Sequence, residues 1–273
     1  MTTLLPRFAL LLCLLGAGGR LPGQERPERF FDSNGVRLRY LEQGAGEPVV
    51  LLHGFGGSAE DPWVKAGILP ALAARHRVIA LDCRGFGGSG KPAAVRDYGV
   101  EMALDVVRLL DHLAIPRAHL VGYSMGAAIA AKVVTLRPER FATVVLGGYG
   151  ARLSWLAADP ASRQNDARYE QRAVELEGGP GGRTDPGTIA RAAALRSFCE
   201  QRVTAAEMAA LTVPALSIVG KKDEGLPDVL ELKRVMPGLK LVLIEGADHD
   251  STRRTPEFLR TLAEFLRAHP ISP

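Results

Sequence analysis

The sequence predicts an α/β fold, a mostly parallel sheet covered by helices on both faces, with one inserted cap. Three observations predict it. Short, continuous apolar runs such as 49–52 and 78–81 recur along the chain, the mark of strands buried on both faces. They alternate with helical spacing and short turns, and that rhythm selects parallel pairing because parallel neighbours need a crossover. The rhythm lapses once, over 150–206, and then resumes. The lapse is read as an insertion, so the core takes 28–149 and 207–270 and the cap takes 150–206.

The elements follow in order. Phe30 and Phe31, then 36–41, flank the turn residues Asp32, Ser33, Asn34 and Gly35, which predicts an N-terminal hairpin. Residues 49–52 form the first buried strand, 62–74 carry helical spacing, and 78–81 form the next buried strand. Residues 100–113 place apolar side chains at helical intervals before Pro116 breaks the chain. Leu120 and Val121 lead into a glycine turn. An alanine-rich helix over 125–137 stops before Pro138, and 144–146 is the following strand. The insertion has Arg-rich, helix-like stretches around Gly178-Gly179-Pro180-Gly181-Gly182; its few aromatics, Trp155, Tyr169 and Phe198, outline no recognisable pocket. The core then closes with a strand at 215–219, a helix at 227–235, a strand at 239–244 and a helix at 256–268.

The first residues differ from the rest. Arg7 precedes the apolar run 8–15 and the small residues 16–19, the layout of a secretory signal peptide over 1–23. Gly19 or Gly23 could mark cleavage, although no A-x-A site fixes it. The run falls short of the roughly 20 residues that a membrane span needs, so no stable span is expected. Export to the periplasm or outside is the expected destination; the alternative is an N-terminal extension on a cytoplasmic protein. In an oxidising compartment Cys83 and Cys199 could pair. No C-x-x-C pair or Cys/His cluster calls for a metal, and no cofactor is expected. Charge is spread along the chain, with a net value of +4 and no block of like charges. No aromatic residues interleave with basic ones, so nucleic acid is not an expected partner.

The segment that carries chemistry is Gly122-Tyr123-Ser124-Met125-Gly126, set directly between a strand and a helix. It matches G-x-S-x-G in the context that motif requires. The turn is tight, so the glycines two residues either side of Ser124 remove collisions. The serine is left at the carboxyl end of the sheet, where open α/β sheets place their ligands, and at a helix N-terminus that favours developing negative charge. A serine nucleophile needs a base held by a third group. Of the six histidines, His249 is the candidate base, on a loop after a strand at that end. His76 and His119 precede strands, His112 is inside a helix and His269 is in the tail. Asp223 follows the strand 215–219 and is the candidate orienting acid, with Glu224 and Asp228 as substitutes nearby. Two backbone N–H groups are candidate oxyanion donors: that of Met125, after the nucleophile, and that of Phe55, in the loop His53-Gly54-Phe55-Gly56-Gly57. His53 is read as shaping this loop by hydrogen bonding.

Five strings taken in order, HGFGGS (53–58), DCRGFGGSGKP (82–92), GYSMG (122–126), VGKKD (219–223) and GADHD (246–250), resemble the successive signatures of the α/β-hydrolase superfamily. Its small-esterase, haloperoxidase-like and carbon–carbon-hydrolase branches are the most similar. The resemblance covers 30–150 and 210–268, leaving out the cap. It implies an α/β-hydrolase fold with Ser124, Asp223 and His249 as triad, Phe55 and Met125 as oxyanion donors, and Asp82 and Arg84 as loop-stabilising residues. It further implies a hydrolase of small carboxylic esters or related acyl bonds acting through an acyl-enzyme, with a ligand-binding protein of the same fold as the alternative. A serine at the elbow departs from the haloalkane dehalogenases and epoxide hydrolases, which attack with aspartate.

Overall fold

In the computed structural model, which describes residues 28–150, 160–178, 182 and 185–271, the apolar runs assemble into one eight-stranded sheet. The strands are β1 (Arg29–Ser33), β2 (Val36–Gln43), β3 (Glu47–Leu52), β4 (His76–Leu81), β5 (Ala118–Tyr123), β6 (Phe141–Gly147), β7 (Ala215–Gly220) and β8 (Lys240–Ile244), in the spatial order β1-β2-β4-β3-β5-β6-β7-β8. β2 runs antiparallel to both of its neighbours, and every later pair is parallel. The hairpin turns on Asn34 and Gly35, both at positive φ (54° and 81°), the conformation that an Asn-Gly pair favours because it matches the strand twist.

The central strands are buried on both faces, as continuous apolar runs require. Leu52, Leu120 and Leu146 pack into one layer, while Leu51, Val121 and Val145 pack into the other. The first layer is covered by α2 (Val100–His112), α3 (Met125–Leu136) and α7 (Leu226–Val235). The second is covered by α1 (Ile68–Leu72) and α8 (Pro256–Ala268). In α8 the buried residues Phe258, Leu262, Phe265 and Leu266 follow helical spacing. Its start is fixed by Thr255, which accepts the Phe258 N–H, with Pro256 in the first turn. The helical spacing over 62–74 yields less helix than the sequence suggests. Gly67 takes φ 76° and separates α1 from a tight turn at Glu60–Val64.

Between β6 and β7 lie α4 (Pro160–Glu177), α5 (Pro186–Arg196) and the short α6 (Ala205–Ala209). α4 and α5 pack through Ala173, Ala192 and Leu195 against Tyr169, Phe198 and the core residue Phe55. Arg196 clamps them by gripping Glu170 and Glu177 of α4. The candidate signal peptide, 1–23, and Trp155 lie outside the described residues. No helix among the described residues is long and apolar enough to cross a membrane.

Two buried charge clusters brace the loops at the carboxyl end. Asp82 accepts N–H bonds from Ala59 (2.5 Å) and Gly88 (2.7 Å) and pairs with Arg39 (2.9 Å). Arg84 forks onto Asp105 at 2.6 and 2.7 Å and donates to the Asp97 carbonyl. Both clusters are buried, where a charge is tolerated only when it is paired and hydrogen-bonded. They tie the loop after β4 to the loop after β3 and to α2.

Candidate active site

β5 ends at Tyr123 and α3 begins at Met125, so one residue makes the whole turn. Ser124 holds it at φ 53°, ψ −114°, a conformation that side chains rarely adopt and that stores strain. A Cβ at Gly122 would sit 2.6 Å from Ala127 Cα, against the elbow itself. A Cβ at Gly126 would strike the end of β3, at the Leu52 carbonyl and 2.8 Å from that of His53. The first glycine lets the elbow close, and the second lets it dock on the neighbouring strand. The Ser124 N–H donates to the Gly147 carbonyl at 2.8 Å and pins the turn to β6.

Two loops bring the partners. His249, after β8, places Nε2 2.9 Å from the Ser124 hydroxyl, and its Nδ1 lies 2.8 Å from Oδ2 of Asp223, after β7. The other oxygen of Asp223 accepts the Gly225 N–H at 2.9 Å, so its buried carboxylate is satisfied on both sides. The imidazole therefore meets Asp223, and among the described residues no bond joins it to Glu224 or Asp228. Asp248 is consumed by its own turn, accepting from the amides of Asp250 and Ser251. Asp250 pairs with Arg253.

The electrostatics follow from these contacts. The hydrogen bond to the Asp223 carboxylate raises the His249 pKa above the ordinary imidazole value, against the opposing effect of burial. Burial pushes the Asp223 carboxyl up, but bonds from His249 and the Gly225 N–H outweigh it and hold the group below the usual range. Asp223 thus stays ionised beside an imidazole whose Nε2 faces the hydroxyl, an arrangement able to take the serine proton and stabilise the resulting imidazolium.

The amides of Phe55 and Met125 have no hydrogen-bond acceptor among the described residues. The Phe55 loop is shaped by His53, which is buried. Its Nδ1 lies 2.7 Å from the Gly54 carbonyl and its Nε2 accepts the Cys83 N–H at 3.1 Å. Burial lowers its pKa and keeps it neutral. The remaining histidines stand where sequence position put them: His76 and His119 at the amino ends of β4 and β5, His112 at the close of α2, and His269 after α8. Cys83 is buried and Cys199 exposed, and both thiols are free. The pairing open to them is therefore not made.

A family model described as alpha/beta hydrolase fold matches residues 47–233. The chain belongs to the alpha/beta hydrolase family. Among its curated relatives, this alpha/beta hydrolase is 33% identical over 256 residues to RutD of Variovorax paradoxus, a candidate carbamate hydrolase, covering 81% of this chain and 92% of the relative. It is 43% identical over 131 residues to the dihydrolipoyllysine-residue acetyltransferase component of the acetoin cleaving system of Pseudomonas putida, covering 47% of this chain and 34% of that protein. The chain spans a third to under half of the length of the first curated relatives it matches. Among solved structures, an esterase from Thermogutta terrifontis superposes with a TM-score of 0.72 at 25% identity, covering 90% of this chain and 100% of that one.

In this alpha/beta hydrolase a cavity of about 560 Å³ opens beside Ser124 and His249. A smaller one, about 390 Å³, flanks the same two residues. The larger is walled on one side by Arg168, Tyr169 and Arg172 of α4 and by Phe198. Tyr169 and Phe198, cap aromatics that outline no pocket in the sequence, thus stand in the cavity wall, and Arg168 and Arg172 have no sequence signal at all, because the register of α4 over the core is not encoded locally. Sequence reasoning also assigns no role to Tyr123, whose hydroxyl bonds to the His249 carbonyl. The position before the serine in G-x-S-x-G is unconstrained by the motif, so only the fold reveals its use.

Proposed function

We propose that this protein is a serine hydrolase of small carboxylic esters and related acyl bonds. The single observation that carries the reading is the continuous hydrogen-bonded path from Ser124 through His249 to Asp223, with a strained serine at its head. Ser124 Oγ attacks the ester carbonyl while His249 Nε2 takes its proton. The Phe55 and Met125 N–H groups receive the carbonyl oxygen as it becomes an oxyanion, each worth roughly 3–4 kcal/mol in the transition state. The intermediate collapses by breaking the bond to the alkoxy oxygen, which leaves as alcohol with the proton from His249. Water then attacks the acyl-enzyme, again losing a proton to His249, and the acid departs as Ser124 regains its hydrogen. Asp223 holds the imidazole in the required tautomer throughout. Residues 150–206 act as a cap whose described helices form the substrate wall. The reading is further supported by the esterase and the candidate carbamate hydrolase among its similar proteins, since both names denote hydrolysis at an acyl carbon.

The decisive experiment joins fluorophosphonate labelling to a panel of aryl esters of increasing chain length, with Ser124→Ala as blank. Rapid labelling and turnover, both lost in Ser124→Ala, are expected. A folded protein whose Ser124 neither labels nor turns over any ester would be a ligand-binding member of the family instead. We also propose that 1–23 directs export. Mass spectrometry of the N-terminus from the exported fraction is expected to give a chain lacking these residues, and an intact Met1 there would refute it.

A further inference from the structure

Helix α4 carries Arg168 and Arg172 one turn apart, so both leave the same face. Both line the cavity that holds Ser124, and Arg172 also lines the smaller cavity on that serine. The Arg172 guanidinium lies 5.8 Å over the ring of Phe55, the residue whose N–H is proposed to receive the oxyanion. Neither arginine pairs with a carboxylate among the described residues. Their neighbours do: Arg196 grips Glu170 and Glu177, and Arg202 holds Asp166. Like charges at this spacing repel and weaken a helix, so the pair brings α4 no stability of its own.

Five acids share the larger lining and Asp61 lines the smaller cavity with Arg172, and among the described residues none of them makes an ion pair with Arg168 or Arg172. Asp223 is engaged by His249 and Gly225, Asp248 by the amides of its own turn, and Asp250 by Arg253. Glu224 and Asp228 belong to the connection into α7 and to α7 itself, a separate part of the wall. Among the described residues the α4 side of the cavity therefore presents two guanidinium groups without a carboxylate partner, in the wall of the cavity that holds the reacting serine. A planar guanidinium matches a carboxylate with two parallel hydrogen bonds, and the pair strengthens where water is partly excluded.

We infer that Arg168 and Arg172 form an anion subsite, and that the preferred substrate is an ester bearing a free carboxylate, such as a half-ester of a dicarboxylic acid. The inference rests on Ser124 being the reacting centre proposed above. The carboxylate docks on α4 while the ester carbonyl reaches Ser124, so charge recognition and bond cleavage are set by two different elements.

The test compares p-nitrophenyl hydrogen glutarate with its neutral methyl ester. In the wild type, kcat/KM is expected to favour the anionic substrate, less so in high salt, which screens exposed charge. In Arg168→Gln/Arg172→Gln the ratio of the two kcat/KM values is expected to fall by about tenfold or more, the scale of a charged hydrogen bond. Arg172→Lys should retain part of the preference. Arg137→Gln, at the far end of α3, removes the same charge elsewhere and should keep the wild-type ratio. A second arm avoids catalysis. Ser124→Ala is titrated calorimetrically with monomethyl glutarate and dimethyl glutarate, and only the first should bind, with loss of binding once both arginines are replaced. An unchanged ratio and unchanged monomethyl glutarate binding in the folded double variant would overturn the subsite. If no ester is hydrolysed yet monomethyl glutarate binding still needs the arginines, the hydrolase reading falls and the subsite stands.

Discussion

The hydroxyl of Tyr123 donates a hydrogen bond to the backbone carbonyl of His249. Since Tyr123 is the residue before Ser124, this bond, the Ser124–His249 bond and the intervening peptide close a ring that joins the proposed nucleophile and base. The Tyr123 ring is buried, 5.5 Å from the His249 ring and 6.1 Å from that of Phe258. Space for it is left by Gly147, where a Cβ would come 2.6 Å from the Tyr123 ring, and by Gly148, where a Cβ would come 3.1 Å from His249. Tyr123 thus sets the height of the His249 loop above the elbow.

Tyr123→Phe removes the hydroxyl and keeps the ring. Its expected effect is a fall in kcat of about tenfold with little change in KM, because a misplaced base costs transition-state more than ground-state binding. The orphaned carbonyl should also cost about 1–3 kcal/mol of stability. Steady-state kinetics beside urea unfolding checks both, and a loss of stability with kcat intact would reduce Tyr123 to a structural role.

The strain at Ser124 predicts a trade between activity and stability. Ser124→Gly should abolish turnover and stabilise the fold by about 1 kcal/mol, since glycine adopts positive φ without penalty while losing more chain entropy on folding. Ser124→Ala should lose as much activity, of order 10⁶-fold, with no such gain. Denaturant midpoints of the three proteins decide the matter.

The pH dependence follows from the direction of the His249 shift. Catalysis needs neutral imidazole, so kcat/KM should rise with pH through a midpoint above the ordinary histidine value and then level off. Asp223→Asn removes the bond that raises the pKa, so the midpoint should move to lower pH while the plateau drops by about 10⁴-fold. Stability runs the other way for the imidazole. Its raised folded pKa makes the His249–Asp223 contact most stabilising below the unfolded histidine pKa, with the benefit lost as pH climbs through the folded value. For Asp223, whose folded pKa is depressed, the benefit is present above the unfolded carboxylate pKa and lost in acid. Melting temperatures of wild type and His249→Ala across pH 4–9 would expose a wrong sign.

Two glycine substitutions separate packing from backbone freedom. Gly126→Ala drives a methyl into the end of β3 and is expected to cost about 3 kcal/mol or more, or to prevent folding, because neither α3 nor β3 can retreat. Gly35→Ala has open space around it and only an unfavourable φ of 81°, so about 1 kcal/mol should be lost. Comparable losses at the two sites would contradict the docking of the elbow on β3.

The sequence by itself determined the parallel core, the elbow and the order Ser124, Asp223, His249. Each of these is written in local signals: apolar runs of strand length, glycines at fixed offsets, and polar residues just past strand ends. Only the tertiary structure decided that Asp223, rather than Glu224 or Asp228, meets the imidazole, because a loop's path depends on what the neighbouring strands leave open. It likewise left Cys83 and Cys199 unpaired, turned Tyr123 toward His249, and set Arg168 and Arg172 in the wall of the cavity that Ser124 lines. Such contacts join residues far apart along the chain, and no short-range pattern encodes the register at which two packed elements come to rest.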